Sequence, residues 1–317
     1  MSRLLTRWTL VPAVAAISLL TAGAASGHEG HSYPPAAAPV VAAKSLAAGD
    51  VTYLVADLIG ASEVRSVATT PAGDTDGHGV EIVRIEGNEV RYGIAWENIA
   101  APSSTHIHSG ITGVNGPVRV DYFSASTLPS SVRAVVGRVT VADTALLDSI
   151  KADPGAFYAN IHNAEFPAGA VRGQFRKIDE DVNPDELLDS GFLRARMNGA
   201  KEISSTGTPN AGDPNGRGWG AFDASGRRVV FALKWNAIGA PTAAHIHKAP
   251  AGSNGNVVVP LFEATAGLPT SIQGVSGVVR NLDAGLLQRI RRNPGNYYAN
   301  IHNAEFPAGA VRGQLVR

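Results

Sequence analysis

The chain has 317 residues, which is enough for two ordinary domains, and 44% of them are hydrophobic while 17% are charged. That balance is typical of folded globular protein and not of a disordered chain. Lysine and arginine together number 27, as do aspartate and glutamate, so the total shows no basic excess that would indicate binding to nucleic acid or to an anionic membrane surface.

The first 27 residues have the pattern of a secretory signal peptide. Arg3 and Arg7 give a positively charged start, an apolar stretch follows at 8–20, and small residues at 21–27 offer a cleavage site. The apolar stretch is too short to favour a stable membrane span, although an uncleaved anchor is the alternative interpretation. We therefore predict that residues 1–27 are removed and that the protein is secreted or periplasmic, with no membrane span left.

An Ala/Pro-rich segment at 28–50 follows, and its composition predicts an extended tether. His28 and His31 lie at its start. Cleavage after Gly27 would put His28 at the N-terminus, while cleavage after Ala25 would leave Ser-Gly-His, a sequence that binds Cu(II) through its amine, amides and imidazole. The alternative is an unstructured tail that binds no metal.

The rest of the chain contains two copies of one sequence unit. Residues 158–174 are identical to residues 298–314, and the similarity extends over most of both copies. A period this long is far beyond that of a solenoid repeat and indicates two whole domains. We predict a first domain at 51–177, an acidic linker at 178–190 and a second domain at 191–317.

Short stretches of alternating polarity within each copy predict β-strands separated by Gly-, Asn-, Asp- and Pro-containing turns. These stretches lie at 80–83, 90–96, 229–235 and 257–261. One short helix is expected in each copy, with Asp143 or Asp283 as its N-cap. The pattern predicts an all-β fold: two tandem antiparallel Greek-key β-sandwich domains, superoxide-dismutase-like or Ig-like, each with one short helix.

Six of the nine histidines form two matching sets of three. The sets are His106, His108 and His162 in the first copy and His245, His247 and His302 in the second. Because residues i and i+2 of a strand point to the same face, the first two histidines of each set should project together, with the third supplied by another strand. Three imidazoles can hold a transition metal and leave a coordination position open. Cysteine is absent and methionine is scarce, so Cu(II) is the favoured metal, with zinc next.

Two alternatives to a metal site remain for the histidine sets. The histidines could be structural hydrogen-bonding residues, or they could transfer protons without a metal. A bound metal is expected to dissociate more readily near pH 6, where free imidazoles become protonated. His78 has Arg217 as its counterpart, so it is expected to be an exposed loop residue, with a fourth ligand unique to the first domain as the alternative.

The repeated block also carries polar residues that could hold the imidazole N–H groups. These candidates are Asn160, Glu165, Asn300 and Glu305. The alternative is an ion pair within each block, between its Glu and its Arg, that braces the turn at 166–169 and the closing strand. For Arg172 and Arg312 we expect this bracing role.

The motif pair HIHSGITGVNGPVRVDYF (106–123) and YANIHNAEFPAGAVRGQF (158–175) resembles the CHRD domain, a family named after chordin. In the second copy, HIHKAPAGSNGNVVVPLF (245–262) and YANIHNAEFPAGAVRGQL (298–315) resemble it further. The resemblance covers nearly all of both domains. It implies a β-sandwich module of secreted proteins, including many bacterial ones of unassigned role. Chordin's antagonism of signalling ligands is not transferred, because cysteine-rich modules are missing here.

We therefore predict a secreted CHRD-domain protein that binds a metal ion through three histidines in each domain. One alternative is an extracellular or envelope module that binds a protein or a glycan, for which tandem copies would provide avidity. A second is a metal-dependent oxidoreductase, since the HxH motif is similar to the copper ligands of Cu/Zn superoxide dismutase, although the disulfide cysteines and a zinc cluster are missing. GxSxG and HExxH motifs are absent, so no catalytic residue is predicted. No nucleic-acid partner is expected.

Overall fold

The computed structural model describes residues 51–65, 70–188, 191–204 and 211–317. The predicted signal peptide at 1–27 and the predicted tether at 28–50, with His28 and His31, lie outside the described residues. Within the described ranges, no helix combines the length and the apolar character needed to cross a membrane.

The described residues of the first domain form short antiparallel strands and one α-helix. The strands are β1 (Thr52–Ile59), β2 (His78–Glu86), β3 (Glu89–Glu97), β4 (Pro102–Ser109), β5 (Val118–Phe123), β6 (Val132–Thr140), β7 (Phe157–Asn163), β8 (Val171–Gln174) and β9 (Arg176–Ile178). Helix α1 (Thr144–Ala152) connects β6 to β7. Two single-turn 3-10 helices lie at Gly60–Ser62 and Pro154–Ala156.

The second domain repeats this arrangement. Its strands are β10 (Leu193–Asn198), β11 (Arg217–Ser225), β12 (Arg228–Asn236), β13 (Pro241–Lys248), β14 (Val257–Glu263), β15 (Ile272–Val279), β16 (Tyr297–Asn303) and β17 (Val311–Gln314). Helix α2 (Ala284–Arg292) connects β15 to β16. Single-turn 3-10 helices lie at Gly199–Lys201 and Pro294–Asn296. The Asp143 side chain accepts from the Leu146 N–H and Asp283 from the Leu286 N–H, so both predicted N-caps are confirmed.

Each domain is a sandwich of two antiparallel sheets. In the first domain, one sheet has the order β1–β2–β3–β6 and the other β5–β4–β7–β8, while β9 also pairs with β1. The orders in the second domain are β10–β11–β12–β15 and β14–β13–β16–β17. The chain changes sheet between β3 and β4, between β5 and β6 and between β6 and β7, as Greek-key connections do. The predicted all-β class with two tandem β-sandwiches is confirmed.

Alternate residues of both sheets fill the core of each sandwich. In the first domain, Leu54 and Val83 from one sheet and Ile107 and Ile161 from the other are fully buried in one apolar cluster. Helix α1 adds Leu147 to this cluster. Because side chains alternate along a strand, burying the isoleucines of β4 and β7 turns the residues beside them to the opposite face.

The two domains are joined by a strand pair. Strand β6 pairs antiparallel with β15, so the β1–β2–β3–β6 sheet and its counterpart form one continuous sheet. The pairing is nearly symmetric: Val132 lies opposite Gly277, and Gly137 lies opposite Ile272. Since Val132 corresponds to Ile272 and Gly137 to Gly277 in the repeat, an approximate two-fold axis relates the two domains.

Backbone hydrogen bonds at both ends of this strand pair follow the same symmetry. The Arg138 N–H donates to the Ser271 carbonyl at 2.9 Å, and the Val278 N–H donates to the Ser131 carbonyl at 2.8 Å. Ser131 and Ser271 are themselves counterparts. Each domain therefore contributes a serine carbonyl that accepts the hydrogen bond at one end of the strand from the other domain.

The segment predicted as a linker packs against this junction. It contains a 3-10 helix at Pro184–Leu188, whose Leu187 and Leu188 side chains are buried. The helix contacts β3, β6 and β15, and Asp185 forms an ion pair with Lys234 of β12. The connection between the domains is thus fixed to the shared sheet.

A buried polar network exists in the first domain beside the junction. The Tyr122 hydroxyl donates to Glu81 Oε1 at 2.7 Å, and the Tyr92 ring stacks on Tyr122 at 4.2 Å between centroids. The Tyr92 hydroxyl donates to Ser271 of the second domain at 3.1 Å. Burial raises the pKa of Glu81 to about 8. The equivalent positions of the second domain are Gly220, Phe231 and Leu261.

We expect Gly137→Ala to lower the free energy of unfolding by about 1–3 kcal/mol, as overpacking of a tight interior does. A Cβ atom at Gly137 would lie 2.1 Å from the Ser271 carbonyl oxygen. Gly295→Ala is the control, because a Cβ atom there would have no neighbour within 4 Å. Chemical denaturation measures both variants, and equal stability of the two would show that the junction tolerates a side chain.

We expect the contribution of Glu81 to stability to be lost as the pH rises from about 4.5 to 8, because this carboxyl is held protonated in the fold and ionises freely in the unfolded chain. Glu81→Gln should remove this pH dependence, and its free energy of unfolding at pH 9 should exceed that of wild type by on the order of 3 kcal/mol. Denaturant unfolding at pH 5, 7 and 9 measures it. A constant difference between wild type and variant across that range would contradict the buried-acid interpretation.

Candidate metal sites

The three histidines of the first set lie on two adjacent strands. His106 and His108 belong to β4, and His162 belongs to β7, which pairs with it. Ile107 and Ile161 point into the core, so all three imidazoles are on the opposite face of the sheet. The second set repeats this arrangement on β13 and β16.

The pairing of β4 with β5, and of β13 with β14, is irregular beside the histidines. The register of β4 against β5 shifts between Thr105 and His106 and again between Ile107 and His108. The register of β13 against β14 shifts at the equivalent places. Such bulges twist a strand and redirect its side chains, and they are common next to functional sites.

The imidazoles in each set converge. One ring nitrogen of each histidine lies within 4.8 Å of those of the other two. In the first set the ring centroids are 5.2 to 6.0 Å apart, and in the second 4.9 to 6.4 Å. Ligand nitrogens bound to a common ion at about 2.0 Å would lie about 3 Å apart. A small inward movement of the imidazoles in either set would therefore bring the three nitrogens close enough to bind one ion.

Backbone carbonyls fix which nitrogen of two imidazoles carries the proton. His108 Nδ1 lies 3.0 Å from the Gly116 carbonyl oxygen, and His162 Nδ1 lies 3.1 Å from that of Pro167. A carbonyl can only accept, so each Nδ1 is the donor and each Nε2 keeps its lone pair. The second set has the same contacts, from His247 to Gly255 at 2.9 Å and from His302 to Pro307 at 3.0 Å.

The remaining histidine of the first set is held by the opposite nitrogen. His106 Nε2 lies 3.2 Å from the Ser124 hydroxyl oxygen and 3.5 Å from Asp121 Oδ1. The Ser124 hydroxyl itself donates to Asp121, so it accepts from Nε2 and leaves Nδ1 as the free nitrogen. In the second set, His245 Nε2 lies 4.0 Å from Glu263 Oε1. Both domains thus place a carboxylate beside this histidine. In the second set the hydrogen bond of His245 is made by Nδ1 instead, which lies 3.1 Å from His302 Nε2, so this imidazole must move its proton to Nε2 before Nδ1 can bind a metal.

The free nitrogens of the first set are buried and have no hydrogen-bond partner among the residues that the structure describes. They are His106 Nδ1, His108 Nε2 and His162 Nε2, one from each histidine. Asn160 Oδ1 is buried without a partner as well. Buried acceptors that lack a donor are costly. A single bound cation among these atoms would satisfy all three nitrogens, so the residues present fit a metal ion.

In the second set an amide oxygen reaches the same place. Asn300 Oδ1 lies 3.1 Å from both His247 Nε2 and His302 Nε2. The Nδ2 group of the same amide bonds to the Glu202 carboxyl, which fixes its orientation. Since both Nε2 atoms are acceptors, three acceptors meet here, and a cation between them would remove the repulsion.

A buried carboxyl supports this asparagine in each domain. Asn160 Nδ2 donates to Glu63 Oε2 at 3.3 Å, as Asn300 does to Glu202. Burial raises the pKa of both carboxyls to about 7, against the opposing effect of a nearby arginine. The sequence prediction missed both glutamates. Their signal was retention at matching positions in two segments, ASEV and AKEI, that differ on both sides of the glutamate.

Arg172 has a role different from the one predicted. Its guanidinium lies 3.4 Å from the centroid of the Tyr158 ring, whose other face stacks on His108. Its Nη atoms donate to the Ile111 and Val114 carbonyls and to Asn115 Oδ1, in the loop that leads to Gly116. Arg172 therefore braces the loop that orients His108. Arg312 repeats the arrangement on Tyr298 at 3.3 Å.

The remaining sequence-predicted residues lie apart from the imidazoles. Glu165 and Glu305 are exposed, and the expected ion pairs with Arg172 and Arg312 do not form among the described side chains. His78 is exposed at the start of β2 and belongs to neither histidine set. Of the four polar candidates, Asn300 contacts two of the histidines, and Asn160 lies opposite His106 in the pairing of β4 with β7.

The environment keeps the imidazoles neutral. Burial, followed by the neighbouring His162, lowers the pKa of His106 to about 4, and burial with His302 does the same for His245. Burial also lowers the pKa of the other four histidines. Neutral imidazole is the form that binds a metal, so the sites compete with protons at a lower pH than free histidine would.

Comparison with known proteins gives one match. A model of the CHRD domain family matches residues 54–175 and again residues 193–315, which together cover most of the chain. No curated protein matches the chain, and no solved structure matches it.

We expect the histidine sets to make the metal-free protein less stable in acid. Their folded pKa values lie below that of unfolded histidine, so their contribution to stability is present above pH 6.5 and is lost as the pH falls towards 4. Thermal unfolding in chelator between pH 7.5 and 4 measures this for wild type and for the His106→Gln, His245→Gln pair. The pair should lose less stability than wild type, and the exposed control His78→Gln should match wild type. Identical curves for all three proteins would contradict the lowered pKa values of the histidines.

Proposed function

The chain belongs to the CHRD domain family, and from this membership and its two histidine sets we propose that it is a secreted protein that binds one transition-metal ion in each domain. The observation that carries the proposal is the buried group of three partnerless ring nitrogens, one each from His106, His108 and His162. Structural histidines would be expected to use both nitrogens. Here one nitrogen of each ring is bonded and the other is left free on the same side.

We favour Cu(II), with Zn(II) next. All the converging side-chain nitrogens are imidazoles, and the affinity of such ligands for divalent ions is highest for copper. Cysteine is absent from the chain, which removes the ligand that would select zinc in a closed structural site. Three nitrogens leave a position for Asn160 or Asn300, for water or for a partner's ligand.

The surrounding groups would tune the bound ion. Asp121 and Glu263 lie beside the outer nitrogen of the first histidine in each set, and such carboxylates increase the basicity of a ligating imidazole. The carbonyls of Gly116 and Gly255 hold the second histidine in the required tautomer. These contacts preorganise the imidazoles, since each ring is oriented before the ion arrives. Such a site suits a protein that holds or delivers metal.

We expect wild type to bind two Cu(II) or Zn(II) ions at these sites, and the variants His106→Ala and His245→Ala to bind one each. Removing one of three ligands should weaken the affected site by about 100-fold or more, beyond the effect of losing an outer partner. Isothermal titration calorimetry with each metal measures it, and electron paramagnetic resonance of the Cu(II) protein reports nitrogen coordination. All proteins carry His28→Ala and His31→Ala, so that the N-terminal histidines add no further site.

Matched controls separate ligand loss from unfolding. His78→Ala removes an exposed histidine from the first domain and should leave two ions bound. Each ligand variant is checked by circular dichroism and thermal unfolding in chelator. Wild-type affinity no stronger than millimolar, or equal binding by the His106→Ala, His245→Ala pair, would refute the proposal and leave the histidines a structural role.

A further inference from the structure

The neutral total charge conceals a strong separation of charge between the domains. The first domain, residues 51–177, contains 10 Lys and Arg against 13 Asp and Glu, a formal charge of −3, and the linker at 178–190 adds six further acids. Residues 191–317 contain 14 Lys and Arg against 6 Asp and Glu, a formal charge of +8. The absence of a basic excess, read from the whole chain, therefore does not describe the second domain alone.

Much of this positive charge lies at one end of the second domain. We call the exposed residues Arg227, Arg280, Arg289, Arg291, Arg292 and Arg317 the arginine end. Contacts to backbone carbonyls place them together: the Leu282 N–H donates to the Arg227 carbonyl at 2.9 Å, and Nη2 of the Arg317 side chain donates to the Arg291 carbonyl at 2.9 Å. The Arg291 side chain bonds to the Ala224 carbonyl at the end of β11.

Few acids offset this charge. Asp283, the N-cap of α2, lies 3.5 Å from Arg289 and is exposed. Asp223 is half-buried and accepts from the Ser225 hydroxyl. The arginine end thus keeps an excess of positive charge that faces solvent.

The fold itself does not require these arginines. The equivalent positions in the first domain carry Asn88, Thr140, Ser149, Lys151, Ala152 and Lys177. Four of these six residues are neutral and two are lysines. Apart from β9, both domains have the same strands and helix, so neutral residues at those four positions are compatible with the structure. The cluster is a property of the second domain's surface, which indicates a partner and not a packing requirement.

Exposed apolar side chains stand next to the arginines. Phe192 is 85% exposed and Val316 is 52% exposed. Val316 pairs with Arg194, two residues after Phe192. Leu193 lies opposite Phe222 of β11. Ala224, two residues further along β11, accepts the hydrogen bond from the Arg291 side chain, so the apolar residues and the arginines share this region. The first-domain counterparts of Phe192 and Val316 are Tyr53 and Arg176. A large aromatic ring kept in solvent among cations matches the composition of surfaces that lie on membranes.

We propose that the arginine end docks the second domain on a bilayer surface that carries anionic headgroups. Guanidinium groups bind phosphate in a bidentate manner, and each basic residue near an anionic bilayer adds to its attraction. Phe192 and Val316 would enter the boundary between headgroups and acyl chains, which no soluble polyanion provides. The docking is peripheral and independent of metal binding.

The test is cosedimentation of the full chain with phosphatidylcholine vesicles that contain 30% phosphatidylglycerol, against vesicles of phosphatidylcholine alone. The cluster variant Arg280→Thr, Arg289→Ser, Arg292→Ala carries the first domain's residues and should bind the anionic vesicles about 100-fold more weakly. The control variant Lys201→Ser, Arg217→His, Lys248→Ser removes the same number of exposed charges elsewhere in the second domain, again towards first-domain residues. It should bind within about 3-fold of wild type if the position of the charges matters more than their number.

Phe192→Ser tests the apolar contact and should weaken vesicle binding while leaving the retention on a dextran sulfate column unchanged. Every variant keeps the same N-terminal residues, so differences between variants report the substituted side chains alone. Equal losses in the cluster and control variants would refute the proposal. So would tighter binding to dextran sulfate or to DNA than to the vesicles, and so would self-association in light scattering that the cluster variant abolishes.

Discussion

The pairing of β4 with β7, and of β13 with β16, is the constraint on which both candidate sites depend. Each of these strands buries an isoleucine in the core and turns the neighbouring histidine to the other face. The positions of the imidazoles are therefore set by the same alternation that packs the sandwich. A site built this way is as rigid as the sheet, because a register slip that moved one histidine would also expose a core residue.

Loops fix the orientation and the tautomer of the imidazoles that the strands position. The Gly116 and Pro167 carbonyls select the tautomers of His108 and His162, and Arg172 holds the loop that carries Gly116 while it stacks on Tyr158. This accounts for the identity of the repeated block better than metal ligation alone. Of its seventeen positions one is a histidine, while Arg172, Tyr158, Asn160 and the turn serve the surroundings of the imidazoles.

The sequence was sufficient to predict the class of fold, both helix caps and the grouping of the six histidines, because each rests on a local period or on a repeated motif. Contacts between distant segments were not predictable. Glu63 reaches Asn160 across 97 residues, and Asp121 reaches His106 only through the pairing of β5 with β4. The ion pair expected for Arg172 was wrong because proximity in sequence suggested Glu165, whereas the fold places loop carbonyls there. The junction of β6 with β15 has no pattern of its own, since either strand would look the same as the edge of a separate sandwich.

The shared sheet has a consequence for the solubility of the protein. Without the other domain, β6 and β15 would each be the last strand of a sheet, with a free row of backbone donors and acceptors over eight or nine residues. Unpaired strands of this length and apolar character are templates for aggregation. Each domain thus covers the unpaired sheet edge of the other. Because both domains belong to one chain, the partner strand is always present when either domain folds.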